Sequence, residues 1–246
     1  MSRALLMLVS IVCYALMFVA LLYLIGFVAA LPMLPTHVDK GIEGPLLQAV
    51  LVDLGLIALF GIQHSVMARP AFKAAWTRVV PPPIERSIYC LATAAVLWVM
   101  FAFWHPIAGA LWTVDAPGLR LVMWTFSGLG WATVLLATFL LNHFELFGLA
   151  QAWRHLRGKP APGPVFRKPF FYRLVRHPIY FGILLGIWAT PDMTYSHVLL
   201  AAGFTVYILI GVRHEERDLL ASLGDDYRQY RKDVGMVLPG LGKTRY

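Results

Sequence analysis

Arg176-His177-Pro178-Ile179-Tyr180-Phe181-Gly182 stands where a basic loop enters an apolar run, and Glu215-Glu216 stands where a later apolar run gives out. Proline suits the first turn of a helix because its missing N–H has no partner there in any case, and the free amides and positive dipole end of that turn attract an anion such as a carboxylate. The two glutamates can accept hydrogen bonds from hydroxyl groups and offset a positive charge on a ligand. Singly, an arginine and a histidine at the mouth of an apolar helix are ordinary interfacial anchors, and an acidic pair is an ordinary solvated face. The chain between them joins the two halves. Residues 179–190 and 196–212 are apolar and flank Pro191-Asp192-Met193-Thr194-Tyr195, so the chain goes in and returns. At ~1.5 Å per residue the first arm is about 18 Å long, short of a hydrocarbon core of about 30 Å. Counted back from the turn, Glu215 falls roughly 10 Å beyond the level of Pro178 on the same side. A nucleoside-sized ligand bridges such a span.

The elements that must position these residues are membrane helices. The chain is 59% hydrophobic and 14% charged, with a mean hydropathy of +0.67 and its charges bunched between long apolar runs, a composition that excludes an ordinary soluble domain. Residues 4–31, 46–68, 87–104 and 119–141 are each long enough to cross, which predicts an all-α, polytopic membrane helix bundle of four long transmembrane helices plus a C-terminal helical hairpin with a cytoplasmic cofactor-binding segment. The first run exceeds the apolar region of a secretory signal and is read as a retained span. There is no internal repeat and no linker between soluble domains, so 1–246 reads as one membrane domain, with a bundle over 1–141 and the loop, hairpin and tail over 142–246. Lys159-Pro160-Ala161-Pro162-Gly163-Pro164 cannot be helical and reads either as a surface connection or as a flap over the ligand.

Lysine and arginine set the expected orientation. Arg69, Lys73, Arg78 and Arg86 occupy one loop, and Arg154, Arg157, Lys159, Arg167, Lys168, Arg173 and Arg176 another, whereas the loops at 32–45 and 105–118 hold Lys40 alone. By the positive-inside rule both termini and the large loops are cytoplasmic, in a multi-pass protein of the cell inner membrane. The net charge of +8 then expresses topology and attraction to anionic membrane lipid. No basic stripe with interleaved aromatics on a soluble face suggests nucleic acid. Cys13 and Cys90 lie in apolar helices and read as packing residues, with no metal site expected.

Polar groups at membrane depth are costly and therefore candidates for a site. Gln63 and His64 close the second span, and Asn142, His143 and Glu145 follow the fourth, all at the end that carries Arg176 and Glu215. His64 and His143 are candidate bases, since an imidazole titrates near neutrality and its surroundings tune it. Asp53 stands apart at the other side and is left out of the site, with Lys40 or a neighbouring helix as its expected partner. Trp104, Trp112 and Trp153 near helix ends read as interfacial belt residues.

The last seventy or so residues resemble the isoprenylcysteine carboxyl methyltransferase and phospholipid methyltransferase superfamily, on Arg-His-Pro-x-Tyr-x-Gly at 176–182, Glu215-Glu216, Gly224, Tyr227, Tyr230 and Pro239. His64-Ser65-Val66-Met67-Ala68-Arg69, Glu85-Arg86-Ser87 and Asn142-His143-Phe144-Glu145-Leu146-Phe147-Gly148-Leu149, with Gln151 and Trp153, are similar to the bacterial methanethiol S-methyltransferases and, less closely, to NnrU-like proteins. The resemblance implies a helical membrane enzyme without a Rossmann domain, holding S-adenosyl-L-methionine through Arg176, His177, Pro178, Tyr180, Gly182, Glu215, Glu216 and Tyr230. It implies methanethiol, a small thiol, as acceptor and dimethyl sulfide as product. On that view His143 or His64 forms the thiolate, Glu145 orients the histidine, and alignment of the reacting atoms supplies the rest. Two other classes stay open at this point. The acceptor is a prenylcysteine carboxylate, a phospholipid or another thiol, or the protein is a non-enzymatic NnrU-like protein or transporter whose polar cluster lines a path. A carboxylate acceptor would need no base.

Overall fold

The structure, a computed structural model, describes residues 2–163 and 169–243. Pro164, Arg167 and Lys168, which belong to the basic loop ahead of the hairpin, lie outside the described residues. In chain order the helices are α1 (Arg3–Val28), α2 (Leu46–Ala68), α3 (Pro70–Trp76), α4 (Glu85–Phe103), α5 (Pro117–Leu141), the single turn α6 (His143–Leu146), α7 (Leu149–Leu156), α8 (Pro178–Trp188), α9 (Tyr195–Leu223) and α10 (Asp225–Asp233). A two-stranded sheet pairs β1 (Ala110–Thr113) with β2 (Asp192–Thr194). Helices α1, α2, α4 with the turn before it, α5 and α9 are long and apolar enough to cross a membrane, and α8 is a shorter apolar helix. The chain is a polytopic helical membrane protein with the expected four long spans and C-terminal hairpin.

Helix α1 shows why the fold needs lipid around it. Ser2 caps it by accepting the Leu5 N–H at 3.2 Å. Its buried stripe is Leu6, Ser10, Cys13, Met17 and Ala20, while Leu8, Ile11, Val12, Leu16, Val19 and Leu22 are exposed. Ser10, Cys13 and Ala20 thus face protein beside Leu6 and Met17, while most of the large aliphatic residues face outward, an arrangement that suits helices packed in hydrocarbon.

The hairpin departs from expectation in its second arm. Its first arm is the 11-residue α8, but the return helix runs unbroken for 29 residues, about 44 Å at helical rise. Glu215 and Glu216 therefore lie within α9, not past its end. Glutamate and arginine are good helix formers, so the loss of apolar character at residue 213 ends the membrane-like composition without ending the helix.

Packing divides the chain into two compact units. The first comprises residues 1–111, 143–163 and 194–200. In it α4 lies against both α1 and α2, and α7 lies against α1. Ser87 donates to Ser10 at 2.9 Å, and the Phe27 and Phe101 rings meet at 5.1 Å. Trp104 is not a belt residue: it is fully buried and donates to Val38 O at 2.9 Å. Asp53 is likewise buried and accepts the His105 N–H at 2.9 Å, while Lys40 donates to Leu34 O.

The second unit comprises residues 112–142, 164–193 and 201–246. Its central contact is α5 on α8. A Cβ built on Gly182 would lie 2.6 Å from Gly130 O, and one on Gly130 2.5 Å from Gly186 N. Ser127 donates to Gly186 O at 2.8 Å. Small residues on both helices let the backbones touch. At the hairpin tip, Arg120 makes a two-point pair with Asp192 at 2.8 and 2.6 Å, which holds the Asp192 carboxyl below its ordinary range. Tail residue Val237 closes over Ile208 and Val212, together with Tyr180, Phe181 and Met236.

Candidate active site

Helix α8 opens with Pro178 at its first position and without a side-chain cap from His177. Ile179 and Tyr180 belong to that first turn, whose N–H groups have no acceptor within their own helix. The acidic pair of α9 meets this end. Tyr180 donates its hydroxyl proton to Glu215 Oε2 at 3.0 Å, with His177 Nδ1 3.8 Å from the same oxygen. His177 Nε2 lies 3.3 Å from Glu216 Oε1, to which Arg176 Nε donates at 2.7 Å, and Arg231 Nε stands 3.1 Å from Glu216 Oε2.

The two glutamates have separate situations. The Glu216 side chain is 8% exposed and faces an Arg176 side chain only 1% exposed, whereas the Glu215 side chain is 45% exposed. Arg176 also donates to the carbonyls of Arg231, Val234 and Gly242, and its own backbone N–H donates to Gly235 O at 2.8 Å. His177 N–H donates to Met236 O at 3.1 Å. The guanidinium is thus engaged with the chain itself, fastening the segment after α10 to the mouth of α8. Tyr230 is buried and donates to Tyr172 O; burial pushes its phenol up to about 12, so it remains a donor throughout the physiological range. Gly182 offers no polar side chain, and its position is set by the close approach of α5.

The candidate bases lie in the first unit, each against a tyrosine. His143 is 3% exposed, with Nε2 2.9 Å from the Tyr14 hydroxyl. Burial pushes its imidazole below the ordinary histidine value, which keeps the ring neutral at neutral pH. The segment carrying it is pinned to α4: Arg86 Nε donates to Leu146 O at 2.7 Å, and Gly148 at φ 93° lies so close to Ser87 that a Cβ would meet its Oγ at 2.5 Å. Glu145 takes Arg154 on both oxygens, each at 2.6 Å, so its carboxylate holds α7 to this turn. His64 has both ring nitrogens engaged. Thr93 donates its hydroxyl proton to Tyr89 O, which leaves its oxygen to accept from His64 Nδ1–H at 3.3 Å, and the Tyr89 hydroxyl donates to Nε2 at 2.8 Å.

The structure therefore brings together Arg176, His177, Pro178, Tyr180, Glu215 and Glu216 in one cluster, and places His143, Glu145 and His64 in the other unit. Tyr14, Tyr89 and Thr93 escape a reading for charged groups and histidines, Arg154 enters the sequence reading only through orientation, and Arg231 is not singled out in it. A signal existed for Tyr14, a phenol within a span four residues from Ser10 and so on the same helix face. Arg231 had none.

No protein-family profile matches the chain, and no solved structure matches it. Among curated proteins, a methanethiol S-methyltransferase of Mycobacterium tuberculosis is 48% identical over 239 residues, 97% of this chain and 98% of its own length. The methanethiol S-methyltransferase of Pseudomonas deceptionensis is 49% identical over 211 residues, 85% of this chain and 80% of its own length. Nurim of Xenopus laevis is more distant, at 32% over 178 residues, covering 68% of this chain and 61% of its own length. With nearly the whole length of such relatives matched, the chain belongs to the methanethiol S-methyltransferase family.

Proposed function

We propose that this protein methylates methanethiol with S-adenosyl-L-methionine as donor, giving dimethyl sulfide and S-adenosylhomocysteine. The observation that carries this reading is the junction of an uncapped α8 first turn with a half-exposed carboxylate, Glu215, in a member of this family. That donor set suits the cofactor. First-turn amides take a carboxylate, and Glu215 can accept from ribose hydroxyls and lie near a cationic sulfur. When bound, S-adenosylmethionine supplies a methyl group already activated by a sulfonium.

The chain's own residues divide the work among them. Arg176 and Arg231 neutralise Glu216 and so keep the tail on the cluster. Tyr180 fixes the rotamer of Glu215, leaving the second oxygen for a ligand. Tyr230 braces the wall through Tyr172. His143 serves the acceptor as base, because burial keeps its imidazole neutral. His64, with both nitrogens satisfied, keeps α2 against α4. Pro178 starts the helix that presents the amides, Gly182 lets that helix seat on α5, and Glu145 holds the turn that carries His143. The basic loops face the cytoplasm, with both termini on that side of the inner membrane, where anionic lipid attracts them.

Headspace gas chromatography of membranes supplied with methanethiol and S-adenosylmethionine tests the proposal. Dimethyl sulfide that depends on both additions is expected. Absence of product, in protein that binds S-adenosylhomocysteine by calorimetry, would move the acceptor to another class; absence of binding as well would remove the enzyme reading.

A further inference from the structure

Tyr14 belongs to none of the motifs considered so far. It lies on α1, partly exposed, with its hydroxyl 2.9 Å from His143 Nε2. Its ring is held on several sides: it stacks on Phe18 at 6.0 Å, meets Phe147 edge-on at 5.9 Å and tilts against Phe144 at 6.5 Å. An aromatic enclosure restricts the phenol to few orientations, so packing as well as the hydrogen bond fixes where the hydroxyl sits. The imidazole behind it is 3% exposed. Near neutrality that ring carries one N–H and one lone pair. With the proton assigned to Nδ1, Nε2 accepts from the tyrosine.

We propose that Tyr14 is the catalytic residue that meets the thiol, and that His143 acts as base through it. On the methyl-transfer reading above, on which this rests, the S–H bond of methanethiol breaks as a new O–H bond forms on Tyr14, while the original Tyr14 proton moves to His143 Nε2. Thiolate, neutral tyrosine and imidazolium result. The thiolate electron pair then forms the new S–CH3 bond, the pair of the cleaved bond remains on the donor's sulfur, and the imidazolium later returns its proton to water. The His64–Tyr89 pair has similar geometry at 2.8 Å but is differently placed. Tyr89 is 4% exposed, its hydroxyl also approaches the His64 carbonyl at 3.3 Å, and the Arg86 guanidinium covers its ring at 4.7 Å. That hydroxyl is closed in, so Tyr89 is the internal comparison.

The test uses two acceptors of nearly the same shape. Methaneselenol is far more acidic than methanethiol and is ionised at neutral pH, so it needs no relay. Tyr14→Phe keeps the ring and removes the O–H. In full-length protein it should lose about 10² in dimethyl sulfide formation, the lower range for general acid–base catalysis, yet form dimethyl selenide at close to the wild-type rate. His143→Ala should show the same acceptor preference, and Tyr89→Phe should show none. Unchanged S-adenosylhomocysteine affinity verifies that Tyr14→Phe is folded. Should it not fold, 3-fluorotyrosine at position 14 keeps the packing and acidifies the phenol, and should alter the methanethiol rate alone. Equal losses on both acceptors, or no loss on methanethiol, overturn the relay. Wild-type protein that binds S-adenosylhomocysteine but methylates neither acceptor moves the methyl acceptor to another class, and overturns the relay with it.

Discussion

Glu215 and Glu216 are adjacent and chemically identical, yet the structure assigns them opposite consequences when removed. Glu216→Ala leaves Arg176, with its side chain 1% exposed, and Arg231 facing one another without the carboxylate that balances them. Removing one partner of a buried ion pair costs about 3–5 kcal/mol, a large share of a typical folding free energy of about 5–15 kcal/mol. Glu215→Ala removes a side chain 45% exposed that accepts from the Tyr180 hydroxyl and meets His177 at a longer approach, so its stability cost should stay within about 1 kcal/mol. Affinity should respond the other way in the folded protein. A ligand group left without its acceptor at position 215 costs about 1–3 kcal/mol, roughly a five- to 150-fold loss. Thermal denaturation in detergent and calorimetric titration with S-adenosylhomocysteine separate the two effects. Glu216→Ala should melt well below wild type, and Glu215→Ala should melt near wild type but bind weakly. If Glu216→Ala melts with the wild type, the buried clasp does not hold the tail; if Glu215→Ala binds at full strength, the donor does not lie on this carboxylate.

Gly182→Ala brings a methyl group to 2.6 Å from Gly130 O and 2.9 Å from Val134 N, both backbone atoms that cannot rotate away. The expected destabilisation is about 1–3 kcal/mol, seen as a lower melting temperature with or without ligand. His143→Ala should lower turnover by roughly 10² to 10⁴ while S-adenosylhomocysteine still binds, with partial recovery as rising pH ionises the thiol directly. In the wild type the acid limb of the rate profile should lie below the ordinary histidine value of 6.5, because burial disfavours the charged imidazole. The same depression means that protonation favours the unfolded chain, so this group's effect is a loss of stability as pH falls from 6.5 through the lowered value. A reporter fused after Tyr246 should be active in the cytoplasm, and activity confined to the periplasmic side would reverse the proposed orientation.

The spans were legible because hydropathy acts on twenty residues at once, and the junction of Arg176 with Glu216 was legible because the short turn at Pro191 forces the two arms of the hairpin together. What escaped notice has physical reasons. The grip of Arg176 on Arg231, Val234 and Gly242 uses backbone carbonyls, which every residue carries and no side chain advertises. Glu145 and Arg154 are nine apart and meet only because Gly148 turns the chain at φ 93° between them, a spacing outside the helical neighbour rule. Gly182 was visible as a glycine of the motif, yet its explanation lies with Ser127 and Gly130 on α5, a small-residue stripe whose partner helix no local pattern identifies. The length of α9 was underestimated because apolarity ended where helicity did not.

The clasp at Arg176 also bears on how the protein is made. Its acceptors come 40 residues later at Glu216 and 66 residues later at Gly242, so long segments must be ordered before the last bond can close. Transmembrane helices can partition into the bilayer one after another as synthesis proceeds, but this guanidinium has to wait until the segment through Gly242 has left the ribosome. Until Glu216 has followed, an uncompensated cation sits at the mouth of α8, and lipid phosphate is the natural temporary counter-ion. Completion of the clasp is therefore expected as a late event after membrane insertion, and chain termination ahead of Val234 should yield protein that is inserted and keeps the Arg176–Glu216 pair but lacks the carbonyl acceptors of the tail.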